Sequence, residues 1–187
     1  MSLTSKEAAE TLSDVERAAR RSGRAYGYQK ASPHFLLWGV VWFFGYGGSD
    51  LYPRYAGYIW LGLLVAASIA SFLLIRCTAD NGQVNGNRMR GWRNLALIAI
   101  AYAFIMAVFF ILGPVHGAQQ GAFISLLVAA VYTGMGLWLG ARFVIAGILL
   151  AALTLGGYFY LHEHFALWMA FAGGGALILA GFWLRKV

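Results

Sequence analysis

The side chains best suited to chemistry in this sequence are three histidines and two carboxylates: His116, His162, His164, Glu163 and Asp50. Neutral imidazoles and carboxylates are ligands that Zn²⁺ and Cu²⁺ accept in proteins. Side chains alternate along an extended turn, so His162 and His164 would point to the same side of such a turn. One hypothesis is therefore a metal site that binds Zn or Cu, although the spacing matches no established metal motif. No other cofactor is predicted.

The same residues have two further interpretations. Histidines in solvated hairpin turns need no ligand, and this interpretation is favoured because a metal site requires a geometry that spacing alone does not supply. Alternatively the histidines sense pH, because an unperturbed imidazole changes its charge near a pH of about 6.5. The sequence contains no nucleophile elbow, Walker loop, HExxH helix or flavin fingerprint. It therefore favours a protein that is not an enzyme.

Six predominantly apolar stretches are the elements that must position these residues. About 20 residues at a rise of about 1.5 Å cross a hydrocarbon core of about 30 Å, so each stretch predicts a transmembrane helix. The predicted crossings are 31–48, 55–75, 92–112, 118–139, 143–161 and 165–184. Hydrophobic residues make up 60% of the sequence and charged residues only 11%. We predict an all-α, polytopic membrane protein whose six helices form three hairpins.

The basic residues predict how these helices are oriented. Fourteen residues are Lys or Arg, and if the six stretches alternate across the membrane, only Arg54 falls on the outer side. Cytoplasmic segments carry an excess of Lys and Arg, so both termini and the segments around Arg76 and Arg142 are predicted to be cytoplasmic. The same rule explains a pI near 9.8 without a nucleic-acid partner. Transit peptides are rich in Arg and poor in acidic residues, a combination that this leader lacks. The predicted location is therefore a bacterial inner membrane.

Residues 1–30 form a charged cytoplasmic leader, which precedes a transmembrane domain at 31–187. Thr4 and Glu7 have the spacing of a capping box, which predicts that a helix begins there. Apolar residues then recur at helical spacing on a thin stripe, and Gly23 and Gly27 are predicted to end or loosen this short amphipathic helix before Pro33. The residues predicted to bind a cytoplasmic protein partner are Leu12, Val15, Arg17, Arg20 and Arg21.

The central parts of the predicted crossings hold no Asp, Glu, Lys, Arg or His. Buried charges mark ion and proton pathways in membranes, so a proton-coupled transporter or pump is disfavoured. The crossings are instead rich in small residues, among them Gly136, Gly140, Gly174 and Gly181. Small residues let helices approach closely in lipid. We expect these residues to pack within one chain, with homo-oligomerisation as the alternative.

These observations support three functional hypotheses, ranked in order. The first is a non-enzymatic regulatory, sensory or accessory subunit in a membrane, whose cytoplasmic helix docks a protein partner. The second is a small homo-oligomeric transporter or channel that passes a small or apolar solute. The third is an accessory protein that binds a metal at the outer face through its histidines. The lipid bilayer is the partner that all three hypotheses share.

Overall fold

The computed structural model describes residues 5–78, 100, 103–111, 113 and 116–186, with the backbone alone described at 5–10, 20, 24 and 75–78. Every regular element in these ranges is a helix, and the ranges contain no strand. The predicted all-α class is therefore confirmed for the described part of the chain.

The first helix, α1 (Ser5–Leu51), is 47 residues long. It unites the predicted leader helix with the first predicted crossing, so the prediction that Gly23 and Gly27 end the leader helix is wrong. A glycine inside a helix costs only about 1 kcal/mol relative to alanine, and tertiary contacts can offset this cost. Such contacts begin at this point, because Tyr28 is buried and a Cβ added at Gly27 would lie 3.6 Å from the side chain of Leu139.

The remaining elements follow in chain order. They are a first 3₁₀ turn (Pro53–Tyr55), α2 (Ala56–Thr78), a helical segment at 103–111, α3 (Gly117–Leu139), α4 (Ala141–Tyr160), a second 3₁₀ turn (His162–His164), α5 (Phe165–Trp168), a π-helical stretch (Met169–Gly174) and α6 (Gly175–Arg185). The last three follow one another without a break. Together they form one helix, which we call the C-terminal helix.

Four helices in the described part of the chain are long and apolar enough to cross a membrane. They are Pro53–Leu74, Gly117–Leu139, Ala141–Tyr160 and His162–Arg185. These match the second, fourth, fifth and sixth predicted crossings. The first predicted crossing lies within α1 but is not among the four, because Pro33, His34 and several Gly and Trp residues lower its hydropathy. The third, at 92–112, lies mostly outside the described residues, so six crossings stay a prediction.

The helices also pack across the boundaries of the predicted hairpins. α1 contacts α2, but its most extensive contacts are with the C-terminal helix, and α3 packs along α4. The first and last helices run antiparallel, since Leu36 lies beside Gly181 whereas Gly47 lies beside Ala170. The C-terminal helix is therefore held against α1 along much of its length.

Small residues set the closest approaches between helices. A Cβ added at Gly174 would lie 3.0 Å from the carbonyl oxygen of Gly39, and one at Gly136 would lie 2.6 Å from the backbone nitrogen of Val144. A Cβ at Gly181 would likewise crowd a leucine of α1. Close backbone approach provides the dispersion energy that holds helices together in lipid. The predicted packing within one chain is confirmed for these three helical glycines of α3 and the C-terminal helix.

An aromatic cluster fills the core where α1 meets α3 and α4. The ring of Phe35 stacks on Tyr132 with centroids 4.5 Å apart and contacts Phe143 edge-on at 5.4 Å. Tyr28 stacks on Phe143 at 5.9 Å. Each such pair adds about 0.5–1.5 kcal/mol beyond the area it buries. These contacts tie the middle of α1 to the α3–α4 turn.

Candidate functional site

The packed helices have two chemically different ends. At the first, the Tyr46 hydroxyl donates a hydrogen bond to the carbonyl oxygen of Gly121 at 3.1 Å and lies 2.9 Å from the Ser125 hydroxyl. This contact places the last turns of α1 beside the start of α3. We call this the histidine end, because His162 follows α4 there, and we call the opposite end, which bears Arg142, the arginine end.

The structure places all five predicted metal ligands at the histidine end but does not gather a metal site from them. His162, Glu163 and His164 are exposed in a 3₁₀ turn, His116 is exposed just before α3, and Asp50 is half-buried near the end of α1. The turn is not extended as predicted, and at three residues per turn, side chains two positions apart do not share a side. Among the described residues, no group of three His, Cys, Asp or Glu could hold a metal ion. Metal binding thus stays a hypothesis drawn from the sequence.

The predicted partner-binding residues lie on the part of α1 that extends beyond the packed helices. Leu12 and Val15 are 62% and 60% exposed. Residues three apart are neighbours on a helix surface, so these two side chains share one face. Arg21 is also exposed, whereas the side chain of Arg20 lies outside the described residues. The structure therefore leaves an apolar pair uncovered on a polar helix.

Arg17 is engaged within its own helix. Its guanidinium donates a hydrogen bond to the Ser13 hydroxyl at 2.9 Å and forms an ion pair with Asp14 at 3.3 Å. Exposed ion pairs of this kind contribute about 0–1 kcal/mol, so a partner could displace them at little cost. Arg17 is consequently held along its own helix, on the face of Ser13 and Asp14, which lies opposite the apolar pair.

Sequence reasoning missed the contacts of Arg142, which organise the arginine end. The turn before α4 uses Gly140 at a φ of +120°, a conformation that favours glycine. Arg142 Nη1 donates hydrogen bonds to the carbonyl oxygens of Trp183 at 2.8 Å and Lys186 at 3.3 Å. Its guanidinium also lies 5.4 Å from the ring of Tyr28 and 5.1 Å from that of Trp183. Because the last carbonyls of a helix lack partners within it, Arg142 caps the C-terminal helix.

A buried hydroxyl completes the arginine end. Ser32 Oγ donates a hydrogen bond to the carbonyl oxygen of Gly181 at 2.7 Å and accepts one from Arg185 Nε at 3.0 Å. These bonds join α1 to the C-terminal helix across more than a hundred residues of sequence. No local sequence pattern identifies such a pair, because its geometry depends on how the two helices pack.

Three further hydroxyls of the predicted crossings have partners in the described part of the chain. Thr133 and Thr154 donate to the carbonyl oxygens four residues earlier, at 2.9 and 2.8 Å, and Ser125 meets Tyr46 as described above. These three hydroxyls therefore bond within their own helix or between helices. Ser71 Oγ is buried without a hydrogen-bond partner in the part of the chain that the structure describes.

Comparison of the chain with protein families, with curated proteins and with solved structures gives no match. The class of the protein therefore rests on its own sequence and fold. The described part of the chain is all-helical and contains four helices long and apolar enough to cross a membrane, which are features of a membrane-embedded protein.

Proposed function

We propose that the protein is a non-enzymatic membrane subunit, regulatory, sensory or accessory, that presents its N-terminal helix to a cytoplasmic protein partner. The observation that carries this proposal is the continuity of α1. The helix is buried in the bundle at Tyr28, Phe35 and Tyr46, and it continues without interruption into the exposed segment that bears Leu12 and Val15.

Continuity favours a protein partner over the membrane surface. A helix that lies flat on a bilayer must turn away from the direction of the crossing it joins, and α1 has no break at which to turn before the bundle. At a rise of about 1.5 Å per residue, the stretch from Ser5 to Gly27 extends about 33 Å beyond the packed helices. The leader is therefore held as a projecting helix, out of reach of the hydrocarbon core.

The exposed surface suits an amphipathic helix or an apolar groove on the partner. Leu12 and Val15 supply two apolar contacts on one face, and Arg17 and Arg21 supply positive charge on the opposite face of the helix. Helix-in-groove recognition uses apolar anchors at this spacing, while flanking charges set orientation and partner choice. The partner we propose presents an apolar surface to Leu12 and Val15, and its acidic residues steer it towards the positively charged helix.

The test replaces the apolar pair and compares the proteins that co-purify from native membranes. The Leu12→Asp/Val15→Asp variant should insert normally and lose a stoichiometric partner that the unmodified protein retains in native mass spectra. The Leu12→Met/Val15→Ile variant is the matched control, because it keeps the apolar character and approximate volume and should keep the partner. Retention of the same partner by the Asp variant, or a chain that never carries a stoichiometric partner, would contradict the proposal.

A further inference from the structure

A groove runs between α4 and α6 and opens onto the surface of the bundle. Its cavity is about 560 Å³, and its walls are apolar, with Leu149 and Leu153 on one side and Phe171, Gly175 and Trp183 on the other. Both walls belong to helices that are long and apolar enough to cross a membrane. Lipid is therefore the medium that this α4–α6 groove meets.

The dimensions of the groove fit one acyl chain. At about 1.5 Å per residue, the wall from Phe171 to Trp183 is about 18 Å long. One leaflet accounts for about half of a hydrocarbon core of about 30 Å. An acyl chain that enters at Trp183 would therefore lie in the groove through most of the thickness of its leaflet. The cavity also lies within the range of about 300–1,000 Å³ that is usual for small-molecule sites.

Positive charge surrounds the Trp183 end of the groove. Arg185 and Lys186 are exposed there, and Arg142 lies against the Trp183 ring. Arg185 is directed towards α1 by its Nε hydrogen bond to Ser32, so Lys186 and Arg142 supply the charge available to the groove. The described acids of the bundle, at 50 and 163, lie at the histidine end. The groove therefore begins at a cationic rim and continues as an apolar channel, which complements an anionic headgroup with an acyl tail.

We infer that the α4–α6 groove holds an acyl chain of an anionic phospholipid whose phosphate is bound at the Trp183 end by Lys186, beside the Arg142 guanidinium. Basic pockets between transmembrane helices select anionic headgroups in this way, while the apolar wall holds the chain. This surface is separate from Leu12 and Val15, so the inference does not depend on the proposed function.

The groove itself is tested by filling it. A Cβ added at Gly175 would meet open space, so the Gly175→Leu variant places a side chain in the groove without crowding the fold. Gly156→Leu is the matched control, because a Cβ there also meets open space and Gly156 does not line the groove. Native mass spectrometry of the protein titrated with phosphatidylglycerol should show binding weakened about tenfold by Gly175→Leu and unchanged by Gly156→Leu.

The headgroup is tested by removing charge and by changing the lipid. The unmodified protein should bind phosphatidylglycerol about tenfold more tightly than phosphatidylcholine. Lys186→Gln should reduce that preference about fivefold, the effect of one basic residue near an anionic surface. Arg54→Gln, at the histidine end, should leave the preference unchanged. Equal binding of the two lipids, or full binding of phosphatidylglycerol by the Gly175→Leu variant, would overturn the inference.

Discussion

Arg142 connects residues that are distant in sequence, because it contacts Tyr28 as well as the carbonyl oxygens of Trp183 and Lys186. We expect Arg142→Met to lower the free energy of unfolding by about 2 kcal/mol, since hydrogen bonds from a charged donor and a cation–π contact are lost. Arg142→Lys should recover part of this loss, because an ammonium keeps the charge but not the planar fork. Thermal unfolding in detergent, followed by tryptophan fluorescence, measures the difference.

A basic residue at the other end of the bundle is the control for this prediction. Arg54 is exposed in the first 3₁₀ turn, and Arg54→Met should change the free energy of unfolding by no more than about 0.5 kcal/mol. Equal destabilisation by the two variants would show that the contacts of the arginine end do not stabilise the fold. At the residue scale, the sequence predicted Arg142 as a charge that orients the chain, but it did not reveal the carbonyls that Arg142 caps.

At the scale of the elements, the bundle depends on the close packing of α1 against the C-terminal helix. The two backbones come close where a Cβ at Gly174 would lie 3.0 Å from the carbonyl oxygen of Gly39. We expect Gly174→Leu to force the two backbones apart and to lower the free energy of unfolding by about 3 kcal/mol. Thermal unfolding in the same detergent reports this change.

Gly62→Leu on α2 is the matched control, because a Cβ at Gly62 has no neighbour within 4 Å. This variant should unfold at nearly the same temperature as the unmodified protein or slightly above it, since leucine favours helix more than glycine does. Comparable losses in the two variants would attribute the effect to leucine itself rather than to crowding at Gly174.

The local sequence around α1 did not predict that it is one continuous helix. Gly23, Gly27 and Pro33 all indicate an end or a bend, yet α1 runs through all three. Helix propensities are weak preferences of about 1 kcal/mol for glycine and about 3 kcal/mol for proline, and tertiary contacts override them. Tyr28, Ser32 and Phe35, which surround these positions, are buried against other helices and supply those contacts.

The orientation of the whole molecule can be tested at its two ends. In a Cys77→Ser background, we expect Arg54→Cys to react with an impermeant maleimide from outside intact bacterial cells. Lys186→Cys should react only after the membrane is permeabilised, because segments rich in Lys and Arg stay cytoplasmic. Labelling of both positions from one side would contradict the separation of the two ends across a membrane. Reversed labelling would contradict the predicted cytoplasmic C-terminus alone.

The sequence by itself determined the all-α class of the described residues and the separation of His162 from Arg142. It also located, to within a few residues, the four helices at 55–75, 118–139, 143–161 and 165–184 that are long and apolar enough to cross a membrane. It could do so because a helix in lipid must satisfy its own backbone polar groups, so apolar length alone identifies it.

Only the tertiary structure decided that α1 closes the bundle against the C-terminal helix, that Arg142 caps that helix, and that α4 and α6 leave a groove between them. These features depend on the match in shape between the side chains of one helix and the small residues of another, which lie far apart in the chain. That match is a property of packed surfaces and not of any local pattern.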